Sequence, residues 1–210
     1  MPATADRGAA LALAPVVLAS ASTSRQALLR AAGVAFDAVP APVDEDEVKL
    51  SLKAEGADGA ALAEALAVLK ARAVARRIPD RLVIGADQVL ECDGRLYDKP
   101  AHRAAARAQL LALRGRMHTL LCAASVFEGD REVWHHLARA QLWMRNFSED
   151  FLDAYLDAAG ADVHGSVGAY RLEGLGAQLF ARIEGDWFTI LGLPLLPLLD
   201  YLRVRQVLRT

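Results

Sequence analysis

With 210 residues, of which 54% are hydrophobic, the chain is long enough to fold around one sizeable core or two small lobes, and this composition excludes a disordered protein. Lys and Arg number 24 against 26 Asp and Glu, and the formal net charge of -2 provides no overall basic field for a nucleic acid polymer. An anionic ligand must therefore be met by a local cluster of cations. We expect one domain over residues 1–210, with room for two lobes around a central cleft.

The N-terminal segment allows two interpretations. Residues 8–19 form a short apolar run that ends in small residues, a pattern typical of a secretory signal peptide. Asp6 and Pro15 argue against that interpretation, because the first places a negative charge before the run and the second breaks it. Residues 15–19 are short and valine-rich, which predicts a buried strand. Elsewhere no apolar stretch approaches about 18 residues without charge, so no membrane span is expected.

Helices and strands alternate through the rest of the first half. Leucine spacing and a glycine stop signal predict a helix over residues 23–32, and the next apolar segment predicts a strand over residues 34–39. Residues 40–49 are expected to form an acidic loop before a helical stretch. Apolar residues at helical spacing from Leu62 to Val74 then predict a long helix.

The second half of the chain adds hairpins and further helices. A strand is predicted to run from residue 81 into Gly85, followed by a hairpin that turns at Asp93 and Gly94. The remaining predicted elements are a helix over residues 101–114, two strands over residues 118–145 that turn at Gly129 and Asp130, a helix from the Ser148 cap to Ala159, a strand over residues 177–184, and an apolar strand and helix from Phe188 onward. This alternation predicts a mixed α/β protein.

The two cysteines indicate the cellular compartment. Cys92 and Cys122 have neither the spacing of a metal knuckle nor that of a redox pair. We therefore expect isolated buried thiols in a reducing environment, which predicts a cytoplasmic protein.

The segment LASASTSR, residues 18–25, places small hydroxylated residues and one cation where a strand becomes a helix. Such a turn directs free backbone N–H groups and the positive end of the helix to one point. The small side chains of Ser20, Ser22 and Ser24 allow an anion to approach the backbone closely, and they add hydroxyl donors. Arg25 adds a guanidinium fork that matches phosphate oxygens. The segment favours an anion site, although the same residues also fit a simple helix cap followed by a solvated arginine.

Other charged residues fit the same chemistry. The carboxylates of residues 44–47 are oxygen ligands of the kind that Mg²⁺ prefers beside phosphates. Asp87 is expected just past the end of a buried strand, where α/β proteins place ligands. Lys70 lies in a predicted helix, and Lys99 is held against Pro100 at a helix entrance. Each of these residues also fits an ordinary surface position, so the pattern alone leaves both interpretations open.

Three blocks of the sequence together resemble one known family. The blocks are LASASTSRQALLRAAGVAFDAVPAPVDED, VIGADQVLECDGRLYDKP and GAYRLEGLGAQLFARIEGDWFTILGLPL. In order and spacing, from Val16 to about Leu202, they resemble the Maf family of nucleoside triphosphate pyrophosphatases, also called septum formation inhibitor proteins. The resemblance implies a strongly twisted mixed sheet of the Maf/Ham1 type, shared with inosine triphosphate pyrophosphatases, and a homodimer. It also implies hydrolysis of a nucleoside triphosphate to monophosphate and pyrophosphate with Mg²⁺ or Mn²⁺.

The resemblance further implies roles for individual residues. The family's phosphate-binding residues fall on Ser20, Ser22, Arg25, Lys70 and Lys99. Its catalytic aspartate falls on Asp87, its metal-side glutamate on Glu45, and its base-contacting position on Glu173. A divalent cation is therefore expected at Glu45 and Asp87, with Asp87 also orienting or deprotonating the attacking water.

Three departures from the family pattern bear on activity and substrate. Ser24 stands where the family commonly has a second arginine, which favours an alternative function: a nucleotide-binding regulator of cell division with weak or no hydrolysis. Gln88 stands where many members have threonine, and Glu173 where pyrimidine-preferring members have glutamine. Because a carboxylate only accepts hydrogen bonds, Glu173 suits the N–H donors of guanine or a cationic methylated base. A subgroup that acts on 7-methylguanosine triphosphate shares DQV and part of the EGLGAQLF block with this chain.

Overall fold

The computed structural model describes residues 16–209, so residues 8–15 of the apolar N-terminal run lie outside the described part. The strands are β1 (Val16–Leu18), β2 (Phe36–Ala38), β3 (Leu82–Cys92), β4 (Arg95–Tyr97), β5 (Met117–Glu128), β6 (Arg131–Met144) and β7 (Phe180–Glu184). The α-helices are α1 (Thr23–Ala31), α2 (Glu45–Ala54), α3 (Gly59–Ala75), α4 (Arg103–Leu113), α5 (Glu149–Ala159), α6 (Trp187–Ile190) and α7 (Leu195–Val204). Short 3₁₀ turns occupy Gly160–His164, Val167–Ala169 and Leu175–Leu179. None of the helices within residues 16–209 is long and apolar enough to cross a lipid bilayer.

One mixed sheet with the strand order β2-β1-β3-β5-β6-β7 forms the centre of the described chain, and β4 pairs with the C-terminal end of β3. Strand β1 runs parallel to both β2 and β3. The long strands β3, β5 and β6 and the edge strand β7 pair antiparallel. The predicted mixed α/β fold is therefore confirmed, and the β5–β6 hairpin turns at Gly129 and Asp130 as expected.

Helices cover both faces of the sheet. Because neighbouring residues of a strand point to opposite faces, Ala123 and Ala124 of β5 belong to different apolar clusters. On one face, Leu66 of α3 packs in the cluster that contains Ala123. On the other face, α1 and α7 form one cluster and α4 and α5 form a second. This layering places the start of α1 and the middle of α3 beside the same region of β3.

Gly85 is the point where α3 comes closest to the sheet. A Cβ atom at this position would lie 2.2 Å from the backbone oxygen of Ala67 and 2.6 Å from the backbone nitrogen of Ala71. Both atoms belong to the backbone of α3, which cannot move aside without shifting the helix. Gly85 therefore sets the separation between α3 and β3, the two elements that carry Lys70 and Asp87.

Replacing Gly85 with alanine is expected to lower the free energy of unfolding by about 3 kcal/mol, because the added methyl group overpacks the contact between α3 and β3. Urea unfolding followed by circular dichroism measures the loss. Gly94→Ala is the matched control, since its added methyl group meets no atom within 4 Å and only the positive φ of +74° opposes it, at about 1 kcal/mol. Equal stability losses in the two variants would contradict the role given to Gly85.

Two sequence predictions near the cleft are wrong in their local structure. Asp87 does not follow a strand that ends near Gly85, because it lies in the middle of the long strand β3, paired across to Ala123 of β5. The acidic segment is not a loop, since α2 begins at Glu45 and the Asp44 side chain caps it by accepting from the backbone N–H of Glu47. Carboxylates in the first turn of a helix interact favourably with its positive end, which explains why this acidic run is helical.

The C-terminal segment also differs from its prediction. No strand follows residue 188 within the described chain, because the Asp186 side chain accepts from the backbone N–H of Thr189 at 2.8 Å and caps the short helix α6. A second helix, α7, then starts after Pro194, as expected of the proline. Both cysteines are free and buried, as predicted, and burial raises the pKa of Cys122 to about 12.

Candidate active site

A cleft of about 690 Å³ lies beside the start of α1, the start of α2 and the middle of β3. It is lined by the eight residues to which the family resemblance assigns roles: Ser20, Ser22, Arg25, Glu45, Lys70, Asp87, Lys99 and Glu173. These residues come from distant parts of the chain, and the fold brings them to one place. Their chemical roles remain predictions.

The serine-rich turn between β1 and α1 forms one wall of the cleft. Ser22 caps α1, with its hydroxyl oxygen accepting from the backbone N–H of Arg25 at 3.4 Å. Arg25 is only 9% exposed, so the interpretation of a solvated arginine is wrong. Its Nε donates to the Gly192 carbonyl at 2.7 Å and its Nη1 to the Ser20 hydroxyl at 3.4 Å. Because a guanidinium has five N–H donors, further donors remain for an anion.

Lys70 joins two carboxylates at the centre of the cleft. Its Nζ lies 2.6 Å from Oδ1 of Asp87 and 2.8 Å from Oε1 of Glu45. Lys70 and Asp87 are buried, at 8% and 6% exposure, while Glu45 opens to solvent from the first turn of α2. Partial burial acts to raise the pKa of Glu45, but the hydrogen bond and charge of Lys70, followed by other nearby cations, hold that pKa below its ordinary value.

Lys99 and Lys49 stand at another part of the same cleft. Burial in the cleft and then repulsion from Arg25 lower the pKa of Lys99, and within residues 16–209 its ammonium group forms no hydrogen bond or ion pair. Lys49 donates to Oδ1 of the adjacent Asp98 at 2.8 Å. Neither Lys49 nor Asp98 was singled out in the sequence. The signal that identifies Lys49 is its spacing of four residues from Glu45, which puts both side chains on one face of a helix once residues 45–54 are known to be helical.

The loop that follows α6 lines the cleft, and the end of α6 contacts β3 directly. Gln88, the neighbour of Asp87, donates through Nε2 to the carbonyl oxygens of Thr189 at 2.8 Å and Ile190 at 3.1 Å. Gly192 in the same loop has a φ of +100°, a conformation that favours glycine, and it presents its carbonyl to Arg25. Gln88 therefore ties the loop that orients Arg25 to the strand that carries Asp87.

Glu173 lies at the rim of the cleft beside a cation. Arg171 donates through Nε to Oε1 of Glu173 at 3.1 Å and also pairs with Asp162 at 3.4 Å. All three side chains line both the main cleft and a smaller adjoining cavity of about 290 Å³. The carboxylate predicted to contact a base is thus accompanied by a guanidinium, a donor that the sequence analysis did not include.

The donor set at Glu45 and Asp87 fits a divalent cation of the magnesium type. Two carboxylate oxygens already converge on a single positive group, the Lys70 ammonium, so the site stabilises positive charge. Within the described residues no cluster of three or more His, Cys, Asp or Glu side chains is placed to hold a metal. Two carboxylates with the remaining ligands drawn from phosphate and water is the arrangement that Mg²⁺ favours.

The fold and the cleft together define a mixed α/β protein in which cations gather beside paired carboxylates, an arrangement suited to a polyphosphate anion. The chain belongs to the Maf family: the family described as Maf-like protein matches residues 15–205. The sequence resemblance to this family is therefore confirmed.

Relatives named nucleoside triphosphate pyrophosphatase are similar to this chain over nearly their whole length. The chain is 58% identical over 187 residues to a nucleoside triphosphate pyrophosphatase of Paramagnetospirillum magneticum, covering 89% of this chain and 96% of the relative. It is 53% identical to a protein of the same name from Granulibacter bethesdensis, covering 92% of this chain and 98% of the relative. A solved HAM1 protein from Coxiella burnetii is 19% identical with a TM-score of 0.40 and covers 63% of this chain and 74% of its own. That last likeness is too distant to inform the site.

Proposed function

We propose that the protein hydrolyses a nucleoside triphosphate to a nucleoside monophosphate and pyrophosphate in the cleft between α1, α2 and β3. The observation that carries the proposal is the Lys70 ammonium held between Asp87 and Glu45, with Arg25 and Lys99 in the same cleft. The enzyme class, a diphosphate-releasing nucleoside triphosphate pyrophosphatase, is confirmed by the family and by the names of the relatives.

Asp87 is assigned the role of holding the attacking water. Its Oδ1 accepts a hydrogen bond from Lys70. Its second oxygen has no protein partner within residues 16–209 and is therefore available to accept from a water. A carboxylate in this position orients the water toward the α-phosphorus and accepts its proton. Lys70 keeps the carboxylate in place, and Arg25 and Lys99 compensate the charge on the phosphates that leave.

Glu45 and Asp87 are assigned as ligands of Mg²⁺ or Mn²⁺. When bound, such a cation supplies Lewis-acid stabilisation of phosphate charge and eases deprotonation of water. Glu45 is suited to this role because its lowered pKa keeps it ionised at neutral pH. Glu45 faces the cleft from the first turn of α2 and its side chain is 43% exposed, so it would be accessible to such a cation.

A guanine-type base, such as that of 7-methylguanosine triphosphate, is the proposed substrate moiety at Glu173. The pairing edge of guanine presents the acceptor O6 beside the N1 and N2 donors. Glu173 accepts from N–H donors, and the adjacent Arg171 donates, so the pair offers both partners that this edge requires. A methylated, cationic guanine gains further from the charge of the Glu173 carboxylate at the rim.

A pyrophosphate-release assay over a panel of nucleotides with Mg²⁺ tests the function. We expect the wild-type enzyme to release pyrophosphate fastest from guanine-type triphosphates. In Glu173→Gln, the preference for these nucleotides over uridine triphosphate is expected to fall about tenfold, because the glutamine amide donates a hydrogen bond that a uracil carbonyl accepts. Asp162→Asn is the control, since it removes a carboxylate from the same arginine. Relative rates that do not change in Glu173→Gln would contradict the base assignment.

The same assay separates the enzyme from the alternative, a nucleotide-binding regulator with weak or no hydrolysis. That alternative is favoured by Ser24, which lines the cleft where the family commonly has an arginine. Tight nucleotide binding without pyrophosphate release would support it. A cytoplasmic homodimer remains the expected form of the protein, and sedimentation of the purified chain measures the dimer.

A further inference from the structure

Helix α2 brings a lysine to the cleft to which neither the family resemblance nor the proposed function gives a role. Lys49 follows Glu45 by one helical turn, so the two side chains lie on the same face of α2. It lines the cleft together with Arg25, Lys70 and Lys99, and its side chain is 20% exposed. A lysine that is mostly enclosed beside three other cations needs an anion to balance it.

Asp98 supplies that anion within the protein. Its Oδ1 accepts from Lys49 at 2.8 Å, and its Oδ2 accepts from Lys53 at 3.4 Å. Lys53 does not line the cleft and is 38% exposed. Asp98 therefore keeps a partner if Lys49 leaves it, which makes the contact between Lys49 and Asp98 exchangeable without leaving an unpaired carboxylate.

The other cations of the cleft are engaged to different degrees. Lys70 is engaged by two carboxylates, and Arg25 donates to Gly192 and Ser20. Lys99 alone among these three forms neither a hydrogen bond nor an ion pair within the described chain, whereas Lys70 forms ion pairs and Arg25 donates hydrogen bonds. Phosphoryl transfer requires several cations around the departing phosphates, and one ammonium group with one partly engaged guanidinium is a small number for a triphosphate.

The charges of the site act on Lys49 directly. Partial burial acts to lower its pKa, but Asp98 first, and then Asp87 and Glu45, raise that pKa. Lys49 in turn contributes to the lowered pKa of Glu45. The ammonium group therefore lies within electrostatic reach of both carboxylates where the reaction is proposed to occur.

We propose that Lys49 is a substrate-binding residue that exchanges Asp98 for the outer phosphates of the nucleoside triphosphate and for the pyrophosphate that leaves. The inference rests on the proposed function. Lys49 contacts Asp98, which directly precedes Lys99 in the chain. Lys49 and Lys99 therefore border the same part of the cleft and bind the same phosphates. Lys53 holds Asp98 during the exchange.

Calorimetric binding of inorganic pyrophosphate and of guanosine monophosphate, with and without Mg²⁺, tests this role without turnover. We expect Lys49→Met to raise the Kd of pyrophosphate about tenfold and to leave that of the monophosphate unchanged, because only the first ligand carries the outer phosphates. Arg76→Met is the control, because it removes an exposed cation that pairs with Asp130 and does not line the cleft, and both Kd values are expected to match the wild type. Lys49→Arg, which keeps the charge, is expected to restore most of the pyrophosphate affinity.

The outcomes separate this inference from the proposed function. An active wild-type enzyme whose Lys49→Met variant binds pyrophosphate as tightly as the Arg76→Met control does would overturn the role of Lys49 alone. Equal weakening of both ligands in Lys49→Met would overturn it too, because that result indicates a disturbed cleft rather than a lost phosphate contact. A wild-type protein that neither binds pyrophosphate nor releases it from any triphosphate would overturn the proposed function, and the inference with it.

Discussion

The Asp87→Asn variant is expected to lose turnover about a thousandfold, while the protein remains folded. Removal of a positioned general base commonly has an effect of this size. The fold is retained because asparagine is isosteric with aspartate, the amide oxygen of the new side chain still accepts from Lys70, and Lys70 keeps its contact with Glu45 at 2.8 Å. Pyrophosphate release measures kcat, and thermal unfolding by circular dichroism reports the fold.

Glu91→Gln provides the matched control for Asp87→Asn. Glu91 lies on the same strand, β3, but its side chain lines a separate cavity that contains none of the proposed site residues. Each variant removes one carboxylate charge from β3, so a general electrostatic effect would lower turnover in both. Turnover close to the wild-type rate in Asp87→Asn would remove Asp87 from its assigned role.

The chemistry around Asp87 was easier to predict from sequence than its local structure. Glycine has a low propensity for the interior of a strand, so the sequence predicts a strand that ends near Gly85. The structure gives the glycine a different reason, since the backbone of α3 approaches it to within contact distance. That close contact is between Gly85 and residues 67–71 of α3. A local sequence pattern does not predict a contact between segments this far apart in the chain.

The acidic segment is a second case in which the local structure could not be predicted from the sequence. Residues 44–47 suit a solvated loop, a metal site and a helix N-terminus about equally, because carboxylates are favoured in all three. The structure resolves this in favour of a helix that starts at Glu45. Only then does the four-residue spacing place Lys49 at the cleft, which explains why the sequence analysis found Glu45 and missed Lys49.

The remaining site residues were found because the serine-rich turn, the Lys99–Pro100 pair and the family spacing are local features of the chain. Their convergence depends on the parallel pairing of β1 with β3, which places the turn after β1 beside the middle of β3. The contact between Arg25 and Gly192 spans 167 positions and depends on the positive φ of Gly192. Tertiary contacts of this kind orient the cations, and composition or periodicity does not reveal them.

Replacing Lys70 with methionine is expected to lower the free energy of unfolding at pH 7 by about 3 kcal/mol in the absence of metal. The substitution keeps most of the aliphatic volume but leaves Asp87, which is 6% exposed, as a buried carboxylate without its partner. Breaking a buried ion pair by removing one partner has a cost of this order. The Glu45 side chain is 43% exposed and better screened, so Asp87 accounts for most of the loss.

The pH dependence of Lys70→Met separates a charge effect from a packing effect. Lys70 lowers the pKa of Glu45, so this contribution to wild-type stability is complete above the ordinary value of 4.5 and is lost as the pH falls below it. The variant lacks the contribution at every pH. The stability difference between the two proteins, measured by urea unfolding, should therefore narrow as the pH is lowered toward 4. Lys53→Met, which removes an exposed pairing, should change stability by less than about 1 kcal/mol. A loss in Lys70→Met that stays constant as the pH falls below 4.5 would show that the charge of Glu45 does not contribute to the effect of this lysine.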